Sequence, residues 1–563
     1  MRGGRFFLAL GLLAALAAAP AFGNATIIIV NTDGPNEGFN DPTPATPVGG
    51  NPGTTVGQQR LNAFQFAADV WGSLLDSPVP IYIQSSFDPL SCSATAGTLG
   101  AAGAIQIFAN FPGAEVPDVW YHVALANKLA GEDLAPGPNG TDADDIVAFF
   151  NSNLGTPSCL AATFWYYGLD ANHGAGIDLV TVLLHEFGHG LGFSNFITEA
   201  TGAMPAGLSD IYAFYSLDTT TGKYWPQMTS AEIQASSLNT DHVVWDGLHV
   251  TQAVPSTLAF GSPLLTVTTP SGLGPYRLGA AAFGAPLSSP GVTGNVVLAL
   301  DPSDAAGVST TDACSPLTNA AAVAGKIALL DRGTCGFTVK VKNAQNAGAI
   351  AVIVADNVAG SPPAGLGGAD PTITIPSARV TLANGNTLKS ALSAGTVKVT
   401  LGLNPAVRAG ADPQGRALLN APNPVQPGSS ISHWDPIAFP NLLMEPAINA
   451  DLTHGTDLTI KEMTDIGWFS DRDGVPDGLD SCLSSDQHAT VVIAGCDSGV
   501  PNTVFATGCR ISDQIAACAQ GATNHGKFVS CVSHLTNDLK KDGIITGAQK
   551  GAIQSCAGGA PIP

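Results

Sequence analysis

Apolar and polar positions change period several times along the chain, and each change marks an element. The run "ATIIIVN" (25–31) is β-branched and reads as a strand. In "GQQRLNAFQFAADVWGSLL" (57–75) Leu61, Phe64, Ala68 and Trp71 recur at helical spacing, and "VPIYIQ" (79–84) and "AIQIF" (104–108) return to strand character. A second helix is predicted from Asp178 to Phe193, where Leu179, Val180, Leu183, Leu184 and Phe187 share one face. Asp178 favours its N-terminus through the helix dipole. This succession predicts an α+β or mixed α/β half-domain.

From about residue 290 the texture changes. The stretch "GKIALLDRGTCGFTVKVKNAQNAGAIAVIVADN" (325–357) predicts a buried strand (327–330), a helix (337–347) and a second buried strand (349–354), which together form a βαβ unit. Within it Asp331 and Arg332 read as a local ion pair. A Pro/Gly-rich passage up to residue 430 reads as a return connection, and helical patterning resumes in "DLTIKEMTDIGWF" (457–469). The tail is expected to be helical, with Thr546 to Gln549 as a capping box for its last helix.

Composition narrows the class. At 563 residues the chain holds several modules. Charged residues are only 12%, against roughly 25% in an average soluble protein, and 65 Gly with 40 Pro fit a loop-rich architecture. A formal charge of −22 repels phosphate backbones and anionic membranes, so nucleic acid is excluded as a partner. Residues 1–23 read as a signal peptide: Arg2 and Arg5, an apolar run from Phe6 to Ala19, then small residues near Ala21-Phe22-Gly23. That run is shorter than the ~20 residues of a spanning helix, and none other is long enough, so a secreted protein with no membrane span is expected. The ten cysteines fit an oxidising compartment. Cys92 must pair with Cys159 and Cys314 with Cys335 if their modules fold separately. The six between Cys482 and Cys556 allow 15 connectivities.

The chemistry is concentrated in "LLHEFGHGLGF" (183–193). On a helix His185 and His189 lie one turn apart on one face and can both reach one metal ion, while Glu186 stands on the flank as a general base for water activated there. A zinc site of this catalytic type needs a third protein ligand and an open position. The candidates are His173, His242, His249, His433 and His454, with carboxylates such as Asp210 behind them. Tyr212 and Tyr215 read as core aromatics rather than oxyanion donors.

The extended motif His185-Glu186-Phe187-Gly188-His189-Gly190-Leu191-Gly192 resembles the metzincin metalloproteases, in which Gly192 would end the helix in a turn. That family seeks its third ligand three residues beyond the glycine. Here the residue is Asn195, whose neutral amide is a poor zinc ligand. The pair Ser432-His433-Trp434 and Leu443-Met444-Glu445-Pro446 resembles leishmanolysin, the metzincin branch with an insertion before the third histidine. The resemblance implies His433 as third ligand and Met444 as the Met-turn. The stretches "LLDRGTCGF" and "NAQNAGAIAVIV" resemble the protease-associated (PA) domain, which implies a module at 265–405 and a Cys314–Cys335 pair.

The expected fold is therefore a mixed α/β, metzincin-like catalytic domain in two parts (24–264 and 406–469), split by a β-rich PA domain. An acidic linker (470–482) and a Cys-rich module (483–563) follow. In that linker Asp471, Asp473, Asp477 and Asp480 supply hard oxygens at short spacing, which suits Ca²⁺. The loop resembles a thrombospondin type 3 repeat, and a solvated acidic linker is the alternative. The expected function is a secreted zinc endopeptidase acting on protein or peptide substrates. The competing reading is a catalytically silent adhesin with a structural zinc site, which would have no need of Glu186. Less favoured is a zinc hydrolase of a non-peptide ester or glycan-linked amide.

Overall fold

A computed structural model describes residues 24–136 and 144–562, so the expected signal peptide at 1–23 lies outside the described residues. The N-terminal part holds a four-stranded sheet in the order Ile27–Asn31, Ile81–Asp88, Ile146–Asn151, Gly100–Ala104. The first three strands are parallel and the last is an antiparallel edge. The run 104–108 is not one strand. Gly100–Ala104 and Ile107–Phe108 belong to different sheets, with the chain turning between them.

Two helices pack beside this sheet. Val56–Leu74 starts at Thr55, whose hydroxyl accepts the Gln58 N–H. It buries Phe64, Ala68 and Trp71 together with Ala63 and Ala67, whereas Leu61 is 41% exposed. The apolar stripe thus lies one position round from the face that Leu61 implied. The second helix, Leu179–Leu191, is capped by the Asp178 carboxylate on the Val180 N–H and ends at Gly192. Indole Nε1 of Trp71 donates to the Leu184 carbonyl at 3.1 Å, which fixes one helix against the other.

The largest apolar core draws on residues 25–258 and again on 411–468, so chain segments far apart in sequence share one interior. Between them an eight-stranded sheet runs from Phe260–Thr269 to Lys398–Arg408 and has its own cores. Its centre is the parallel succession Val292–Leu298, Ile327–Asp331, Ala351–Ala355, Ser377–Val380, with the helix Phe337–Asn346 as one crossover. Asp331 and Arg332 do not pair with each other. Successive side chains at a strand end point to opposite sides; Arg332 meets Asp356 at 3.0 Å and Asp331 meets Lys389.

The tail has a separate core and is not wholly helical. Helices Ile511–Gln520, His525–Lys541 and Gly547–Gly559 pack with a hairpin of Thr490–Ile493 and Cys496–Pro501. The last helix has the Thr546–Gln549 capping box. Disulfides join Cys92 to Cys159, Cys314 to Cys335, Cys482 to Cys509, Cys496 to Cys556 and Cys518 to Cys531. Five such bonds mark a protein that matures in an oxidising, secretory-type environment. No helix among the described residues is long and apolar enough to cross a membrane.

Candidate metal centre

Three imidazoles meet at the end of the Leu179–Leu191 helix. Nε2 of His185 lies 3.1 Å from Nε2 of His189 and 3.3 Å from Nε2 of His433. The opposite nitrogen of each ring is committed to a backbone carbonyl. His185 Nδ1 donates to Leu443 at 2.7 Å, His189 Nδ1 to Phe193 at 2.8 Å and His433 Nδ1 to Ser429 at 2.9 Å. Protons on all three Nδ1 atoms leave three Nε2 lone pairs facing one another with no hydrogen between them. Burial holds the rings in this neutral form: it pushes His185 down to about 4 and His189 to about 3, and it carries His433 well below the usual histidine range.

Lone pairs that converge in a buried place repel unless a cation lies between them. With zinc–nitrogen bonds of about 2.0–2.1 Å, tetrahedral geometry separates two ligand nitrogens by about 3.3 Å, close to the spacing here. The donor set therefore fits a zinc ion. The carbonyls on the Nδ1 atoms set ring orientation and tautomer, as partners of ligating histidines generally do.

Local sequence explains how the rings come together. Gly190 is required because a Cβ there would stand 2.4 Å from Ile146 Cγ2 of the sheet. Gly192 has φ +149°, and a Cβ on it would meet Ile466 Cδ1 at 2.3 Å. Met444 is fully buried under the helix, and its Sδ lies 3.0 Å from the place where a Cβ on Gly188 would sit. The adjacent Leu443 supplies the carbonyl for His185, so this turn both supports the helix and aims a ligand. Truncating Met444 to alanine is expected to cost about 2–5 kcal/mol of stability, and Met444→Leu less than about 1.5 kcal/mol with zinc retained. Denaturant unfolding and metal content check both values.

Glu186 leaves the ligand cluster and turns to the edge strand. It is 7% exposed, takes a hydrogen bond from the Ala102 backbone, and packs where a Cβ on Gly100 would stand 2.9 Å from its Cγ. Burial pushes its carboxyl up to about 8, while the Ala102 hydrogen bond pulls it back. Glu186 and the three histidines line one cleft of about 980 Å³, with Gly100–Ala102 on one wall and Ser429, Pro446 and Ile448 on another.

The remaining sequence candidates lie elsewhere. His173 bonds the Gly176 and Ala450 carbonyls, His242 meets Thr219, His249 bonds the Asp477 carbonyl, and His454 meets the Asp178 carboxylate at 2.8 Å. Asp210 caps a short helix through the Ala213 N–H, and burial raises it to about 7. Tyr212 and Tyr215 are core residues, Tyr212 donating to the Ile431 carbonyl and Tyr215 accepting from the Gly478 N–H. Sequence reasoning gave no role to Ser429, Phe193 or Ala102, which act only through backbone groups and so leave no side-chain signal.

In the acidic linker the carboxylates of Asp471, Asp473 and Asp480 offer oxygens within 4.8 Å of one another. Oδ2 of Asp473 and Oδ2 of Asp480 are buried without a hydrogen-bond partner. Asp477 does not join them. The short turn Asp477–Leu479 swings it toward the main core, where its carboxylate accepts the Phe469 N–H at 3.2 Å.

Comparisons with known proteins match parts of the chain. Residues 292–388 match the PA domain family. The human ER degradation-enhancing alpha-mannosidase-like protein 3 is 47% identical over 83 residues, covering 15% of this chain and 8% of that protein. The probable lipoprotein aminopeptidase LpqL of Mycobacterium tuberculosis is 36% identical over 131 residues, 23% of this chain and 25% of that one. The minor extracellular protease Vpr of Bacillus subtilis is 38% identical over 79 residues, 14% of this chain and 9% of its own. The chain thus spans a quarter or less of these relatives. Among solved structures, the zinc aminopeptidase BSAP of Bacillus subtilis aligns over 28% of this chain and 36% of its own, at 24% identity and a TM-score of 0.19.

Proposed function

We propose that the chain is a secreted zinc endopeptidase of the leishmanolysin-like metzincin type, its catalytic domain split into 24–264 and 406–469 around the PA module. The observation that carries this reading is the triad of converging Nε2 lone pairs from His185, His189 and His433, with a general base beside it in an open cleft. A zinc ion held there supplies Lewis acidity, polarising a substrate carbonyl and making water more acidic. Glu186 takes the proton of the attacking water and hands it to the leaving amine. Its buried position beside Gly100 and Ala102 keeps bulk water from competing for that proton. The strand Gly100–Ala104 is the edge of its sheet and lines the cleft, so an extended peptide can add to it as a further strand.

Three protein ligands with a base alongside favour this reading over the silent adhesin, because closed structural zinc sites usually carry four protein ligands. The test is casein cleavage by purified protein. Activity should vanish with a zinc chelator and return with added zinc. Cleavage that persists after complete metal removal would contradict the reading.

The acidic linker is proposed as a calcium site formed by Asp471, Asp473 and Asp480, with backbone carbonyls or water completing the six to eight oxygens that Ca²⁺ takes. At about 100 times its Kd, calcium adds about 2.7 kcal/mol to stability. Melting temperature should rise with calcium, fall with a calcium-selective chelator, and become insensitive to both in Asp480→Asn. A wild-type melting temperature indifferent to calcium would leave a solvated linker.

A further inference from the structure

The inserted sheet meets the catalytic half close to the third histidine. Its edge strand Tyr276–Arg277 pairs with Phe260–Thr269 and brings Arg277 to that junction. The guanidinium donates to both carboxylate oxygens of Asp435, through Nη1 at 2.8 Å and through Nη2, and Nη1 also meets Asp241. One arginine of the insertion therefore joins the first part of the proposed catalytic domain, through Asp241, to the second part, through Asp435. Arg277 lies outside the residues 292–388 that match the PA domain family, so this junction is no part of that match.

Asp435 stands two residues beyond His433, and its side chain is 1% exposed. Its Oδ1 also accepts the Ile437 N–H at 2.9 Å, and among the described residues Arg277 is its one ion-pair partner. The three histidines are held unequally. His185 and His189 ride on one helix, whereas His433 lies in a segment fixed by single backbone bonds: its carbonyl accepts the Asn420 N–H at 2.8 Å, and the Trp434 N–H donates to the Met444 carbonyl at 2.8 Å. A bidentate guanidinium holds a buried carboxylate strongly, and the same carboxylate left alone is costly. The chain would relieve that cost by carrying Asp435 toward water, and His433 would move with it.

We propose that Arg277 is a positioning residue for the third zinc ligand, so that the metal affinity of the histidine cluster depends on how the inserted module is seated. The inference rests on the zinc reading above. The insertion thus does more than interrupt the catalytic domain: it supplies the charge that sets His433 opposite the helix.

The experiment uses the full chain, stripped of metal and titrated with zinc against a coloured chelator at a temperature where circular dichroism shows each variant folded. Arg277→Met should bind zinc about 10- to 100-fold more weakly than wild type, the cost of losing a group that orients a metal ligand. Adding Asp435→Asn, which neutralises the stranded carboxylate and keeps an acceptor for the Ile437 N–H, should restore most of that loss. Ser361→Ala is the control. It removes another contact between insertion and host, the 2.8 Å bond between Ser361 Oγ and Thr240 Oγ1, and should leave zinc affinity within about twofold of wild type. A merely structural arginine would lower the melting temperature and leave the affinity of the folded protein unchanged, which overturns the proposal. A loss that Asp435→Asn fails to restore, or an equal loss in Ser361→Ala, overturns it as well. Should Arg277→Met not fold, Arg277→Lys decides: it keeps the charge but lacks the two-pronged fork, and it should weaken zinc binding several-fold, wild-type affinity being the contrary result. A wild-type chain that takes up no zinc would remove the metal centre and this inference with it, whereas one that binds zinc with Arg277 dependence but cleaves nothing would remove the peptidase reading alone.

Discussion

Glu186→Ala should lower kcat/KM for casein by about 10²- to 10⁴-fold, the range that one general base contributes, while zinc content stays at one ion per chain. The two readouts separate because Glu186 lies outside the proposed ligand set: three imidazoles are grouped where they could hold a metal ion, and the carboxylate faces the edge strand through Ala102. The substitution removes a buried carboxyl and leaves the Ala102 N–H without that partner, so folding is checked by melting temperature. Glu186→Gln is the companion variant, since it keeps the shape and a hydrogen-bond acceptor but cannot take up a proton near neutral pH. Equal loss in both variants with metal retained is the signature of a base. Wild-type activity in either would remove Glu186 from that role and return weight to the silent-adhesin reading.

His433→Ala should weaken zinc binding more than the about 10- to 100-fold that loss of an outer-shell partner costs, because a first ligand disappears and two imidazoles remain. Competition with a coloured chelator measures this directly. The stabilisation that zinc gives the wild type, about 2.7 kcal/mol at 100 times Kd, should largely vanish from the melting curve. His454→Ala is the contrast. That ring meets Asp178, the cap of the metal helix, so its removal should lower stability without changing the number of zinc ligands.

What could be read in advance follows from how each interaction is encoded. The helix of His185 and His189 was legible because its spacing is local and its cap is the adjacent Asp178. The strands of the inserted module were legible because residues 327–330 and Ala351–Ala355 are continuously apolar and buried on both faces. The place of His433 depended on resemblance, since no local pattern spans the 248 residues between it and His185. The face of Leu61 was misread because which side of a helix meets the core is decided by the partner, here Trp71 against Leu184. The tail hairpin was missed because its two-residue connection is Ala494-Gly495. Both have positive φ, 47° and 85°, and alanine at such a position sends no turn signal. Spacing placed all four linker aspartates together, whereas the turn at Asp477 sends its carboxylate to the Phe469 N–H.

The most direct measurement is diffraction from a crystal at the zinc absorption edge, which locates the ion by its anomalous signal. The account predicts one peak bonded at about 2.0–2.1 Å to Nε2 of His185, His189 and His433, with no fourth protein ligand. A peak with the His433 ring outside bonding range, or one closed by a fourth side chain, would contradict it.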